Sequence, residues 1–317
     1  MRRFTGIGAG MASLLLVAAC GSGGSADDSG GADPVTVGVI PIVDVAPVYL
    51  GVEQGFFADQ GLDVTLESSQ GGAAIVPGVV SEEFEFGFSN VTSLLLAGAK
   101  GLPLEIVGAG NYSTGEQGDD FSGVVVPEGS DITDASGLSG KTVAVNTLQN
   151  IGDTTVRQSV EKAGGNPDEV NFVELPFPEM PGALAEGRVD GAWLVEPFRT
   201  IAMNQGGTEI ASNLVDTQDD LMISSYFTSK QLRQSDPELV ERFTTALNRS
   251  LDYAENNPDQ AREAILDYTE IDPAVAEEMT LPKWSSEINT GTVERLAELA
   301  LEDGLVDEKV DTEALLP

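Results

Sequence analysis

The chain has 317 residues, with 52 acidic side chains against 16 basic ones, one cysteine and no histidine. A formal charge of −36 makes nucleic acid and anionic lipid surfaces poor partners. The missing histidine and the single cysteine exclude a disulfide framework, a Cys/His zinc site and a Cys/His or Ser/His/Asp nucleophile, and no motif for a carboxylate metal centre or a cofactor is present, so neither is expected.

Arg2 and Arg3 precede an apolar run from Phe4 to Ala19 that stops at Cys20, which is the layout of an export signal over residues 1–19. The run is shorter than the roughly 20 apolar residues a membrane-spanning helix needs, and Gly6, Gly8 and Gly10 weaken it as a helix. Its end, Leu16-Val17-Ala18-Ala19-Cys20-Gly21, resembles the lipobox of bacterial lipoproteins. The resemblance implies that Cys20 carries a diacylglyceryl group and begins the mature chain. Residues 20–34 form a tether, because GSGGSADDSGGAD (Gly21 to Asp33) has no large apolar side chain to offset the entropy of ordering. Losing Arg2 and Arg3 leaves 14 basic and 52 acidic residues, a charge of 14 minus 52, or −38; such a surface keeps the protein soluble by mutual repulsion.

The body from Val35 is long enough for two lobes, and no internal repeat is evident. A strand over Val35 to Ile40, a helix through Tyr49, Val52, Phe56 and Phe57, a stop at Gly61 and a strand over Leu62 to Glu67 make a strand-helix-strand unit of the kind that builds parallel sheets. The pattern repeats: a helix over Ala73 to Val80, a strand over Phe84 to Phe88, a helix through Leu94 to Leu96 and a strand over Leu104 to Val107. Gly123 to Val126 is extended. Lys141 to Val145 opens a second series, with a helix over Asp153 to Ala163, a strand over Val170 to Leu175, a helix over Pro181 to Glu186 and a strand over Asp190 to Leu194. Ser225 to Thr228 is extended again, and the remainder is helical, led by an amphipathic segment from Pro237 through Leu239, Val240, Phe243, Leu247, Leu251 and Ala254.

Five stretches resemble, in their order and spacing, the binding-protein family that takes aliphatic sulfonates, taurine, nitrate and thiamine-pyrimidine precursors. They are Ala46 to Val64, Gly71 to Asn90, Leu138 to Thr147, Ala183 to Pro197 and Glu302 to Asp311. The resemblance implies an α/β, two-lobed periplasmic-binding-protein-like fold of type II, with ligand in the cleft between lobes joined by two crossovers. Residues 35–123 and the helical 227–317 would form lobe one, and 124–226 lobe two. It further implies capture of a small molecule at the outer face of the bacterial cytoplasmic membrane for an ABC importer, with permease and ATPase subunits as partners. The protein is expected as a monomer, held to the membrane through its lipid anchor only.

The candidate ligand contacts lie at strand ends, where helix N-termini offer free N–H groups. Asp44 follows the first strand and either meets a ligand amine or caps the helix that begins near Ala46. Gly72 and Ala73 open the next helix, where small residues allow close approach. Ser89 and Asn90 are polar contacts, N-caps or both. Tyr112 is an aromatic wall or ordinary packing. On the other side stand Thr147 and Thr154, and Trp193 and Glu196 in WLVEP, where a charge ending a buried strand needs a partner. Between Gly21 and Val156 the only bases are Lys100 and Lys141, so an anion would need helix N-termini or Arg157, Arg188 or Arg199. The balance favours a neutral, zwitterionic or amine-bearing ligand, with sulfonate and nitrate still open. Two other readings are a surface sensor or adhesion lipoprotein, and an enzyme. The family's synthases use an active-site histidine that this chain lacks, and a serine-lysine hydrolase on Ser159 and Lys162 would lie within a helix face.

Overall fold

The computed structural model describes residues 31–317; the export segment, Cys20 and most of the tether lie outside the described residues. The strands in chain order are β1 (Asp33–Val39), β2 (Leu62–Ser68), β3 (Phe86–Asn90), β4 (Leu104–Ala109), β5 (Asn111–Tyr112) and β6 (Ser122–Val126). They continue with β7 (Thr142–Val145), β8 (Asn171–Glu174), β9 (Gly191–Val195), β10 (Thr208–Ala211), β11 (Ser224–Ser229) and β12 (Lys283–Trp284).

Two mixed five-stranded sheets result, ordered β2-β1-β3-β11-β4 and β10-β6-β9-β7-β8. β1 pairs parallel with β2 and β3, whereas β11 runs antiparallel between β3 and β4. In the second sheet β7 pairs parallel with β8 and β9, and β6 runs antiparallel between β9 and β10. Read from β8, the second sheet repeats the order of the first: each sheet holds one antiparallel strand in fourth place. Those two strands, β6 and β11, are the ones the chain enters on crossing from one sheet to the other. The dividing lines expected from sequence, 123/124 and 226/227, fall inside β6 and β11, because Ser122 and Gly123 already pair with β9 and Ser224 to Tyr226 already pair with β3.

Local signals explain most elements. Gly61 has φ +70°, where a Cβ would be strained, and it turns the chain from a short 3-10 turn (Ala58–Gln60) into β2. Phe56 and Phe57 are not helical; the helix stops at Glu53, and both rings fold back to pack, Phe57 against Phe243 and Phe56 against Tyr253. The long helix Pro237–Asn256 begins at an Asp236 cap and buries the predicted Leu239, Val240, Phe243, Leu247, Leu251 and Ala254 on the first sheet, where Phe243 stacks on Phe86 at 3.7 Å. The helices Phe198–Asn204 and Asn213–Thr217 and the strand β10 between them are absent from the sequence reading, since each is too short to show a period.

Candidate ligand site at the carboxyl ends of the strands

Parallel strands deliver their carboxyl ends to one edge of a sheet, and here the two edges meet. The main-chain N–H of Val43, after β1, donates to the carbonyl of Glu196, after β9, at 3.1 Å. Asn150, after β7, donates through Nδ2 to Ser93 Oγ at 3.0 Å. Thr147 Oγ1 stands 3.1 Å from where a Cβ on Gly71 would lie.

Asp44 sits in the 3-10 turn Val43–Val45 and is 3 % exposed. It caps nothing: Val45 is the N-cap of the helix Ala46–Glu53, with no side-chain bond. Its Oδ2 has no hydrogen-bond partner. Burial pushes the carboxyl up to about 7 against the pull of its own main-chain N–H and of Asn111, and the Asp120 carboxyl adds to the rise. Around it lie other buried polar atoms without partners, the Tyr226 hydroxyl and Asn111 Nδ2, while Ser89 Oγ and Ser225 Oγ face each other across the β3–β11 register. Native interiors leave few such groups unsatisfied, and here several of them gather at strand ends.

The other expected contacts divide. Gly72 opens the helix Gly72–Val80, and a Cβ there would overlap the Ser89 hydroxyl, so the glycine is required by helix-strand approach. Ala73 and Thr147 border an open groove of about 1080 Å³ that runs outward past Lys100, Lys230 and Lys309, and Asp44 is not part of it. Asn90 is the N-cap of Val91–Ala99, accepting the Ser93 N–H at 2.9 Å. Tyr112 does not wall the Asp44 site: its hydroxyl donates to the Glu287 carbonyl, and it borders a separate pocket of about 570 Å³ with Asp220 and Lys283. Strand alternation puts Tyr112 and Asn111 on opposite faces of β5. Trp284, which pairs with Asn111 and donates to the Asp44 carbonyl at 3.3 Å, takes the place expected for Tyr112. Thr154 lies beside Asp303, whose carboxyl burial raises, and not beside Asp44.

Trp193 is a packing residue: its indole N–H donates to Ser122 Oγ at 2.8 Å, its ring meets Phe177 edge-on, and its six-membered ring closes on Gly152. Glu196 has no exposure and is fully engaged inside the protein. It accepts from Arg199 at 3.1 Å, from the Thr200 N–H at 3.0 Å, from the Thr200 hydroxyl at 2.9 Å and from the Thr280 N–H at 3.4 Å. Burial holds its carboxyl above the usual range, outweighing Thr200 and Arg199. The buried charge at the strand end does find a partner, and that partner is Arg199, three residues on, which also bonds Glu209 at 2.7 Å. A charged residue one helical turn ahead was the available signal.

All eight arginines among the described residues are engaged: Arg157, Arg188, Arg199, Arg233, Arg242, Arg249 and Arg295 with carboxylates, Arg262 with main-chain carbonyls. No arginine borders Asp44. Ser159 and Lys162 are both tied to Asp216, at 2.8 Å and 3.0 Å, as a hydrogen-bonded helix face. No group of three or more His, Cys, Asp or Glu suited to a metal ion occurs among the described residues.

The sequence matches the family described as NMT1/THI5 like over residues 42–261. It is 23 % identical over 273 residues to the "Putative aliphatic sulfonates-binding protein" of Bacillus subtilis (strain 168), covering 84 % of this chain and 79 % of that one. It is also 23 % identical over 254 residues to the 4-amino-5-hydroxymethyl-2-methylpyrimidine phosphate synthase of Candida albicans (strain WO-1), covering 75 % and 70 %. The ligand-binding component of an ABC-type import system from Staphylococcus aureus, solved with zinc bound, superposes with a TM-score of 0.76 at 12 % identity, covering 90 % of this chain and 96 % of that one. The fold is that of the type II periplasmic binding proteins. With the match spanning more than half of its length, this chain belongs to the NMT1/THI5-like family of periplasmic binding proteins.

Proposed function

We propose that the chain is the extracytoplasmic, lipid-anchored component of an ABC importer that captures a small polar molecule between lobe one, built on the sheet β2-β1-β3-β11-β4, and lobe two, built on the sheet β10-β6-β9-β7-β8. The observation that carries the proposal is the meeting of the two sheets' carboxyl edges beside a buried Asp44 whose Oδ2 has no partner, with two chain crossings among the described residues, ahead of β6 and of β11, to act as a hinge. Asp44, Gly72, Ser89 and Asn90, with Asn111, Ser225 and Tyr226, belong to the first sheet's side of the site, and the Glu196 carbonyl that meets the Val43 N–H belongs to the second's. The pairing of every described arginine favours a neutral, zwitterionic or amine-bearing ligand over a sulfonate. The similarity to a synthase does not carry over chemistry that uses an active-site histidine, because this chain has no histidine.

A thermal-shift screen of amines, amides, pyrimidines, flavins, sulfonates and nitrate, followed by small-angle scattering with any hit, tests the proposal. A hit that shrinks the radius of gyration supports capture by lobe closure; a saturating hit that leaves the scattering profile unchanged argues for a surface sensor. The anchor is tested separately: Cys20→Ala protein that stays with membranes through detergent-free, high-salt washing contradicts lipidation, since two acyl chains at about 0.8 kcal/mol per buried methylene account for firm anchoring.

A further inference from the structure

An ionised carboxylate buried without a partner is among the costliest arrangements in a protein interior. Burial pushes the Asp44 carboxyl up to about 7, so below that pH it keeps its proton and avoids the cost. The titratable groups that face it are all acids or phenols: Asp120 at the entrance to β6, Tyr226 on β11 and Tyr268 on the helix Pro258–Tyr268, with Tyr49 of the helix Ala46–Glu53 stacked on Tyr268 at 3.9 Å. The Asp120 carboxyl is itself held above the usual range by burial, although it accepts from Ser113 Oγ at 2.7 Å and from the Thr114 and Phe121 N–H groups at 2.9 Å. The one base on these elements, Arg262 of the helix Pro258–Tyr268, is turned to the Ala276 and Met279 carbonyls. Two donors beside Asp44, Asn111 Nδ2 and the Tyr226 hydroxyl, lack acceptors.

Resting on the reading of this chain as a ligand-capturing protein, we infer that Asp44 selects the charge of the ligand: a cationic N–H group, an ammonium or an amidinium, docks on its unpartnered Oδ2, and the carboxyl loses its proton as the ligand seats. The O–H bond of the carboxyl breaks, its electron pair stays on oxygen and the proton leaves to the solvent. The new carboxylate then accepts from the ligand N–H, and it also offers an acceptor to the two protein donors beside it, Asn111 Nδ2 and the Tyr226 hydroxyl. Charge-assisted bonds of this kind are about twice as strong as neutral ones. An anion in the same place would meet the Asp120 carboxyl, with no described arginine beside it to offset the repulsion.

Coupling to one proton has a measurable consequence. The carboxyl of the empty protein titrates at about 7, so below that pH the affinity for a cation weakens about tenfold per pH unit, and above it the affinity levels off. The test uses fragments small enough to enter any cleft that holds a polar ligand: acetamidinium, methylammonium, acetamide and methanesulfonate, each titrated against the melting temperature of the intact protein at pH 6 and pH 8. The expected result is stabilisation by the two cations, larger at pH 8, absent in Asp44→Asn and reduced in Tyr226→Phe. Stabilisation by methanesulfonate that survives in Asp44→Asn overturns the inference and leaves the capture reading standing. Equal stabilisation by cations in parent and Asp44→Asn also overturns it, because the cations then act on the acidic surface. No shift with any of the four, cations and neutral amide included, contradicts both readings. For the tighter of the two cations, calorimetry at pH 6 in two buffers of different ionisation enthalpy, phosphate and Bis-Tris, should report close to one proton released per ligand; zero release overturns the coupling.

Discussion

Replacing Glu196 with glutamine keeps its shape and removes its charge, and so separates a structural carboxylate from one that meets ligand. The parent side chain accepts four hydrogen bonds, one from Arg199 and three from Thr200 and Thr280. A glutamine carbonyl can keep some of these, but its NH2 group must then point at donors that have no other acceptor. Leaving one buried donor unsatisfied costs about 1–3 kcal/mol. Removing one member of a buried pair costs about 3–5 kcal/mol when the other charge is left alone, and Arg199 is not left alone, because Glu209 stays at 2.7 Å. The expected loss is therefore about 3 kcal/mol, a fall in Tm of roughly 5–10 °C for a body of this size. Urea melts of parent and Glu196→Gln, with calorimetry of any hit from the screen, measure both consequences. A variant that melts like the parent yet loses more than tenfold in affinity refutes the reasoning and returns Glu196 to the ligand.

Asp44→Asn should gain stability over the parent as pH rises. The parent carboxyl titrates at about 7 in the folded state against 3.8 as its reference, so its contribution is fully present below 3.8 and lost as pH climbs through about 7, a span of at most about 4 kcal/mol. Urea midpoints at pH 4 and pH 8 should therefore diverge between the two proteins, with the asparagine variant ahead at pH 8. Gly72→Ala should destabilise by about 1–3 kcal/mol through overpacking on Ser89, and adding Ser89→Gly should recover part of the loss in a thermal melt. Ser93→Ala removes the bond from Asn150 while leaving Asn150 to accept the Ile151 N–H. The loss of about 1 kcal/mol should weaken ligand about fivefold with little change in melting; an unchanged affinity would mean that this bond does not favour closure.

The amino-acid order by itself carries the alternation of short strands and helices, the stop at Gly61, the strand after Lys141, the buried stripe of the helix Pro237–Asn256 and the polar tether, because each is a property of neighbours within a few residues of one another. It also carries the absence of histidine, and with it the narrowing of chemistry. Pairing across the chain decided the rest. That β6 and β11 insert antiparallel into the opposite series, that Asn111 and Tyr112 face opposite ways, and that Glu196 is consumed by Arg199 while Asp44 is left bare all depend on which segments meet in space. Asp44 and Glu196 are both acids beyond the end of a buried strand, and the one local difference between them is Arg199, a turn after Glu196. One has a guanidinium a turn away and a threonine N–H beside it; the other is closed in by a tryptophan, phenols and a second carboxyl. Burial strips water from both and raises both carboxyls, and the partners brought in by the fold determine which of them is satisfied and which keeps a bare oxygen.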